Sequence, residues 1–266
     1  MTEISAAMVK ELRQATSAGI MDAKRALQET EGDFDAAVKL LRERGMASAA
    51  KRAGRETTEG KVGVMVRDGI GAIAAVGCET EPVSNNEDFL AYAADLLGAV
   101  FERGEDAVAQ LEEARVDVAA KLGENVQVVG AKRLEATDGE QLSFYVHAPA
   151  NKIGAIVRTK GGDPESARSL ALHLTFAKPT YGSRDEVPTE LVEAEREILV
   201  NSDEVQSKPE NVREKIVEGM LNKRFYGESV LTEQTWYRPD ESTATVGQVL
   251  RERGVELLDY AWYSVS

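Results

Sequence analysis

The chain of 266 residues has one cysteine, two histidines and no long apolar run. A single cysteine excludes an internal disulfide, which is the usual mark of an oxidising compartment. A membrane-spanning helix needs roughly 18 or more consecutive apolar residues, and no such stretch occurs. The opening residues, Met1-Thr2-Glu3-Ile4, have neither the basic nor the apolar region of a secretory signal. Together these absences predict a cytoplasmic protein without a membrane contact.

The shortage of histidine and cysteine also argues against an enzyme. His147 and His173 are 26 residues apart, and neither has a cysteine or carboxylate at metal-ligand spacing. Cys78 is followed by Glu79 and Glu81, whereas a nucleophilic thiol requires a positive setting, so a small buried residue is the alternative role. No P-loop pattern is present. We therefore predict no catalytic residue, no metal and no cofactor.

Negative charge is abundant and unevenly distributed. The chain carries 46 acidic and 32 basic residues, a net charge of -14. Through Arg55 there are ten basic and eight acidic residues, a net charge of +2, so the remaining 211 residues carry -16. Such an acidic body repels phosphate backbones, which argues against nucleic acid as the main ligand. Solubility alone is the other interpretation of this charge.

The first 45 residues predict a bundle of three helices. Ser5 is placed to cap the first helix and Asp33 to cap the third, which we expect to stop at Gly45. Ile20 and Met21 open the second helix, where at least one of them should remain exposed. This apolar pair is interpreted either as an edge to which a partner docks or as apolar residues of the bundle that its core does not fully enclose.

The stretch from Gly77 to Phe89 is the one around which we expect the chain to be organised. It follows an apolar run typical of a strand buried on both faces. Ser84 and Glu87 have the spacing of a capping box, which predicts that a helix begins there. The intervening residues must form a tight, exposed corner, in which Pro82 is expected to push the preceding residue towards extended geometry. A stiff corner on a packed scaffold is suited to pressing on a partner.

The remaining pattern predicts an α+β core. A first hairpin turns at Asp68-Gly69 and a second at Asp138-Gly139, between strands at 126–134 and 141–146, and such short turns require antiparallel sheets. Two amphipathic helices separated by Asn201-Ser202-Asp203 predict an inserted antiparallel helical hairpin. The apolar stripes expected to face each other in it are Leu191, Ile198 and Leu199 on the first helix and Val212, Ile216 and Met220 on the second. The expected units are an N-terminal domain at 1–45, a basic linker at 46–59, a first core subdomain at 60–140, a second at 141–187 and 226–266, and the helical hairpin at 188–225.

Several motifs in a fixed order resemble elongation factor Ts, the nucleotide-exchange partner of the GTPase elongation factor Tu. They are Thr16-Ser17-Ala18-Gly19-Ile20-Met21-Asp22-Ala23-Lys24-Arg25-Ala26-Leu27, the corner after Cys78, Gly123-Glu124-Asn125, Lys178-Pro179, Ile216-Val217-Glu218-Gly219 and Thr245-Val246-Gly247-Gln248. The resemblance covers essentially the whole chain. It implies a UBA-like N-terminal bundle, a coiled-coil hairpin and a translation factor that releases GDP from its partner without covalent chemistry. Many family members continue into a C-terminal helical module that has no counterpart here, so we expect its contacts to be absent.

The resemblance also implies a set of partner contacts. The bundle would grip a helix of the GTPase domain, the corner would press near the Mg²⁺ and phosphate site, and the second subdomain would hold the other domains of the partner. The hairpin could support a homodimer or a 2:2 complex. The candidate residues are Arg13, Ile20, Met21, Lys24, Lys51, Arg52, Thr80, Glu81, Pro82, Val83, Leu122, Gly123 and His147. For Lys51 and Arg52 a solvated linker or short helix is the alternative. The other histidine, His173, lies beside Leu172 and Leu174 in a predicted helix and is expected to be structural.

The sequence departs from the family at the corner. The usual motif is Thr-Asp-Phe-Val, with the phenylalanine as a wedge, whereas this chain reads Thr80-Glu81-Pro82-Val83. A fully buried phenylalanine contributes about 1.5–3 kcal/mol, of which the smaller proline ring recovers only part. Three hypotheses follow: an exchange factor that relies on its other contacts, a non-exchanging binder or chaperone of the GTPase, and an RNA-associated protein using the basic linker.

Overall fold

The structure is a computed structural model that describes residues 4–16, 18–238 and 242–265. Ser17, in the break predicted between the first two helices, lies outside these ranges. The side chains of Ser5 and Asp33 accept hydrogen bonds from the backbone N–H groups of Met8 and Ala36, which confirms both predicted helix caps. The N-terminal bundle consists of α1 (Ala6–Thr16), α2 (Ile20–Glu29) and α3 (Phe34–Arg52).

The third helix passes through Gly45, so the prediction that it stops there is wrong. Gly45 instead lies where α3 crosses α7 (Glu112–Leu122) in the core. A Cβ atom at Gly45 would stand 2.8 Å from the Cβ of Ala120, which is closer than two carbon atoms can pack. Arg42 forms an ion pair with Glu113 across the same crossing. The glycine therefore permits a close helix contact, and α3 continues into the first half of the predicted basic linker, as far as Arg52.

Two antiparallel sheets of three strands form the core, in agreement with the α+β class. In each sheet the middle strand is the second in chain order. The turn at Asp68-Gly69 has positive φ angles at both residues, 51° and 76°, as a two-residue hairpin turn requires. Sheet A contains β1 (Glu59–Arg67), β2 (Ile70–Cys78) and β3 (Val126–Glu135), and sheet B contains β4 (Glu140–Val146), β5 (Ile153–Lys160) and β6 (Glu256–Ser264).

The predicted hairpin between β3 and β4 is wrong, because the two strands belong to different sheets. The backbone N–H of Ala136 donates to the carbonyl of Gly69, which extends sheet A past the end of β3. The chain then crosses to sheet B within four residues. A turn-forming Asp-Gly pair is compatible with either connection, so the sequence pattern did not distinguish them.

The sheets pack face to face with helices on both outer sides. Ile73 of β2 and Ile156 of β5 are fully buried in the cluster between the sheets. Ala72 and Ala74 of β2 point the other way, towards α5 (Glu87–Arg103) and α7. The outer face of sheet B is covered by α8 (Pro164–Ala177) and α13 (Val246–Glu252). The prediction that the strand before the corner is buried on both faces is therefore confirmed.

The helical hairpin consists of α9 (Thr189–Val200) and α11 (Glu210–Met220), with the short α10 (Asp203–Gln206) between them. Leu199 and Met220 are buried in its small core as predicted. Three residues of the predicted stripes are exposed instead, because Val205, Val217 and Leu221 fill the core and a π-helical segment follows α11. They are Leu191, Ile198 and Val212. No described helix is both long and apolar enough to cross a membrane.

Candidate partner-binding site

The docking edge predicted on the N-terminal bundle is exposed. Ile20 and Met21 are 58% and 63% exposed, while Ala23 and Leu27 fill the inward face of α2. Beside Ile20 lies an apolar groove of about 380 Å³ between α1 and α2, with three basic residues along it. An apolar groove with cationic edges suits an amphipathic helix that carries acidic residues. The residues lining it are Ile4, Ala6, Val9, Lys10, Arg13, Ile20 and Lys24.

The corner forms a single helical turn, α4 (Glu81–Ser84), rather than an extended segment. Pro82 is the second residue of this turn, where a missing N–H costs nothing, so the expected extended geometry at Glu81 is wrong. Thr80, Glu81 and Pro82 are exposed, whereas Val83 packs partly against the hydrophobic cluster under α5. The first three residues of the corner are therefore exposed at the surface, and Val83 anchors them to the core.

The predicted capping box at Ser84 is also wrong. The Ser84 hydroxyl donates to the carbonyl of Glu81 and is buried, so it closes α4 instead of opening α5. Asn86 caps α5, and its side-chain oxygen accepts from the backbone N–H of Asp88 at 2.9 Å. Glu87 and Asp88 lie in the first turn of α5, where negative charge interacts favourably with the helix dipole.

Two carboxylates form reciprocal hydrogen bonds between the base of the corner and the segment that follows α7. The Glu124 carboxylate accepts the backbone N–H groups of Glu79 and Thr80 at 3.1 and 3.0 Å, and the Thr80 hydroxyl at 2.6 Å. In return, the Glu79 carboxylate accepts the backbone N–H of Asn125 at 2.7 Å. We call this arrangement, formed by Glu79, Thr80, Glu124 and Asn125, the carboxylate latch. It joins two segments that are 44 residues or more apart in the chain.

The latch also reaches the end of the N-terminal bundle. The Asn125 amide donates to the carbonyl of Arg55, and the Arg55 guanidinium donates to Glu79 at 3.2 Å. The Asn125 N–H and then Arg55 lower the pKa of the Glu79 carboxyl, with a smaller effect from Arg52. Lys51 is exposed at the end of α3. The structure thus brings the basic pair, Lys51 and Arg52, to the same end of the molecule as the corner.

Leu122 and Gly123 lie beside the latch. Gly123 ends α7 in the left-handed conformation with a φ of 75°, which glycine adopts readily. It is exposed, whereas Leu122 is partly buried against the core. The structure therefore joins these two candidates to the corner, because Glu124 follows Gly123 directly and binds Thr80.

His147 belongs to a different surface. Its Nδ1 lies 3.0 Å from the Tyr145 hydroxyl and its ring meets the edge of Phe176 at 6.2 Å, both on sheet B or its covering helix. Phe176 is 63% exposed and stacks on Tyr237 at 6.3 Å. Sequence reasoning missed this aromatic surface, although an apolar residue on the wrong face of the α8 stripe was a signal for it.

Cys78 and His173 are both buried among packed side chains. Burial, and next the charge of Glu124, raise the pKa of the Cys78 thiol to about 12, so it is protonated at neutral pH. His173 is buried, its Nε2 lies 3.0 Å from the Gln234 side-chain oxygen, and its ring stacks on Trp236. Within the described residues, no three His, Cys, Asp or Glu side chains are placed to hold a metal ion.

Comparison with known proteins defines the class of the chain as a translation elongation factor. The family model described as elongation factor TS matches residues 79–266, from the base of the corner to the end of the chain. The chain belongs to the elongation factor Ts family.

Curated relatives extend the match across the N-terminal bundle. Elongation factor Ts of Shewanella amazonensis is 41% identical over 261 residues, which is 97% of this chain and 89% of the relative. The protein of the same name from Idiomarina loihiensis is 37% identical and covers 98% of this chain and 91% of its own length. That of Colwellia psychrerythraea is 36% identical, with 97% and 89% covered.

Proposed function

We propose that the protein is a guanine-nucleotide exchange factor that binds elongation factor Tu carrying GDP and promotes GDP release in the cytoplasm. The observation that carries the proposal is the corner: three exposed residues stand on a one-turn helix held by the carboxylate latch. In this chain the corner would press on the Mg²⁺ and phosphate site of the GTPase. The mechanism is displacement, with no covalent step and no catalytic side chain.

The affinity for the partner comes mainly from the N-terminal bundle. The groove beside Ile20 takes an amphipathic helix of the GTPase, and Arg13, Lys24 and Lys10 attract its acidic residues. By thermodynamic linkage, the factor by which the protein weakens GDP binding equals the factor by which GDP weakens binding of the protein. A thousandfold effect requires about 4 kcal/mol of coupling, which is more than one apolar contact supplies.

The decisive experiment is stopped-flow release of a fluorescent GDP analogue from the cognate elongation factor Tu, with and without the protein. We expect release to accelerate and to saturate with protein concentration. Binding without acceleration would contradict the exchange function and support a non-exchanging binder or chaperone. Steeply salt-dependent RNA binding would instead support the RNA-associated alternative.

Met21→Asp tests the docking edge. Because Met21 is exposed, the change should leave thermal unfolding of the free protein nearly unaltered while placing a charge in the apolar contact. We expect at least a tenfold loss of affinity for the GTPase, which is about 1.4 kcal/mol. Isothermal titration calorimetry measures it, and wild-type affinity would mean that the docking edge is elsewhere.

A non-exchanging binder is the second candidate function. It is favoured by Pro82, which stands where the family has its wedge phenylalanine and offers a smaller apolar surface. Since Pro82 is exposed on α4, a phenylalanine fits there without a clash inside the chain. Pro82→Phe should accelerate GDP release by up to about tenfold, from about 1–1.5 kcal/mol of extra apolar burial, and Pro82→Gly should slow it. The GDP release rate is measured by stopped flow over a series of Mg²⁺ concentrations. An unchanged rate in both variants would mean that the corner does not contribute to GDP release.

Three exposed apolar residues on the helical hairpin form a surface through which the chain could self-associate. Leu191, Ile198 and Val212 are 47%, 63% and 36% exposed. A second copy of the chain is the occupant proposed for them, in a homodimer or a 2:2 complex. Sedimentation equilibrium of the free protein and of its complex tests this, and a monomer with a 1:1 complex would refute it.

A further inference from the structure

The Thr80 side chain connects the start of the corner, just after β2, to Glu124. Threonine is a favourable helix N-cap, yet the Thr80 side chain makes no capping bond to α4 although it occupies the N-cap position. Its hydroxyl is donated to Glu124 at 2.6 Å instead. Fixing the corner against α7 therefore takes precedence here over capping the corner helix.

The Glu124 carboxylate accepts hydrogen bonds from three donors, two of which are backbone N–H groups. Bonds to the N–H groups of Glu79 and Thr80 fix the two peptide units that enter α4, and so fix the direction in which the helix projects. Hydrogen bonds to an ionised acceptor are roughly twice as strong as neutral ones. The side chain is only partly buried, so water could replace it without opening the core. Its loss should loosen the corner while leaving the fold intact.

We propose that Glu124 is a positioning residue for nucleotide exchange: it holds Glu81 and Pro82 in the orientation that reaches the phosphate site of the GTPase. The inference rests on the proposed exchange function. Glu124 itself touches neither nucleotide nor Mg²⁺, and acts through the backbone of Glu79 and Thr80. Its removal should therefore lower the limiting rate of release more than the affinity, because the bundle groove supplies most of the affinity.

Two variants separate positioning from folding. Glu124→Ala removes all three acceptors. Glu124→Gln keeps an oxygen for the two backbone N–H groups, and its amide can donate to the Thr80 hydroxyl, which then acts as an acceptor. Glu102→Ala on the exposed face of α5 is the matched control, since it removes an acidic side chain away from the latch. Circular dichroism and urea unfolding verify that all three fold.

The first readout is amide hydrogen exchange in the free protein. We expect Glu124→Ala to speed exchange at Glu79 and Thr80 at least tenfold, while Glu124→Gln stays within threefold of wild type and Glu102→Ala does not change. Wild-type protection in Glu124→Ala would overturn the proposal, because the carboxylate would then not hold the corner.

The second readout is GDP release from elongation factor Tu over a range of protein concentrations. Glu124→Ala should lower the limiting rate at least tenfold with the half-saturating concentration within threefold, and Glu124→Gln should recover most of the rate. A loosened corner with an unchanged limiting rate would overturn the inference. If wild-type protein fails to accelerate release, the proposed function fails, and hydrogen exchange alone decides whether Glu124 positions the corner.

Discussion

The two halves of the core follow the same order of elements but use it differently. Each half has a β-hairpin, then helices, then a third strand that returns beside the middle strand. In the first half, residues 79–86 connect β2 to α5 and include the corner. In the second half, β5 reaches α8 through residues 161–163 alone, and the extra chain is inserted later as the helical hairpin. One scaffold thus carries its projecting elements at two different connections.

The polar networks of the two halves differ as well. In the first half, the carboxylate latch lies near the surface and fixes a projecting loop. In the second half, the buried Gln234 amide donates to the carbonyls of Ala177 and Glu228, and its oxygen lies 3.0 Å from Nε2 of His173. A buried network stabilises the fold, whereas a surface network determines orientation, because water can replace only the latter.

The largest expected effect is the difference in free energy of unfolding between Gln234→Ala and Glu124→Ala, measured with urea. Gln234→Ala removes a buried side chain and leaves the buried His173 ring, together with the partly buried carbonyls of Ala177 and Glu228, without their partner. An unpaired buried polar group costs about 1–3 kcal/mol. We expect a loss of about 3 kcal/mol or more for Gln234→Ala and less than about 1 kcal/mol for Glu124→Ala, where water takes over. Equal losses would remove the distinction between a stabilising and an orienting network.

The second half should also carry a pH dependence near pH 6.5, the range in which a histidine titrates, because it contains the buried His173. Burial lowers the pKa of His173 from its usual 6.5, while its bond to Gln234 raises it less. As the pH falls through about 6.5, the unfolded chain takes up a proton that the folded chain does not, so stability decreases by at most about 1.4 kcal/mol per pH unit until the folded pKa is reached. Carboxylates with lowered pKa values, such as Glu79 and Asp163, lose their contribution at lower pH.

Urea unfolding at pH 7.0 and 5.5 measures this dependence in wild type and in His173→Gln. The variant loses the titrating ring but keeps His147, so the contribution of the other histidine cancels in the comparison. We expect the variant to show the smaller decrease between the two pH values. An equal decrease would mean that His173 does not couple protonation to folding.

The smallest expected effect concerns the crossing of α3 over the first half. Gly45→Ala gains helix propensity but places its Cβ against Ala120, whereas Gly98→Ala on α5 gains the same propensity with no atom within 4 Å. We expect Gly98→Ala to be stabilised by about 0.5–1 kcal/mol, and Gly45→Ala to be at least about 1 kcal/mol less stable than that control. Thermal unfolding measures both, and equal stability would mean that the helices separate without cost.

Features governed by neighbouring residues were predictable from the sequence. The Asp68-Gly69 turn and the helix caps at Ser5 and Asp33 are all confirmed. Each depends on backbone preferences and hydrogen bonds within a few residues. The exposure of Ile20 and Met21 was also predictable, because the inward positions of α2 were already filled.

Features that depend on distant residues were not predictable. Gly45 has the form of a helix stop, and only the position of Ala120 shows that it permits a crossing. Ser84 has the spacing of a cap, yet α4 takes its hydroxyl and Asn86 caps α5. Glu124 was part of a recognised motif, but its bonds to Glu79 and Thr80 span more than 40 residues and have no periodic signal.

The close crossing at Gly45 also has a kinetic consequence. α3 continues from the bundle to its contact with α7, and the latch joins the end of α7 to the corner, so packed helices and hydrogen bonds connect the docking groove to the corner. In the proposed exchange reaction, a partner helix bound in the groove would confine the corner to a small volume, so the effective concentration of the corner at the nucleotide site would be high. On that proposal, the hydrogen atom that residue 45 carries in place of a side chain would turn two separate encounters into one.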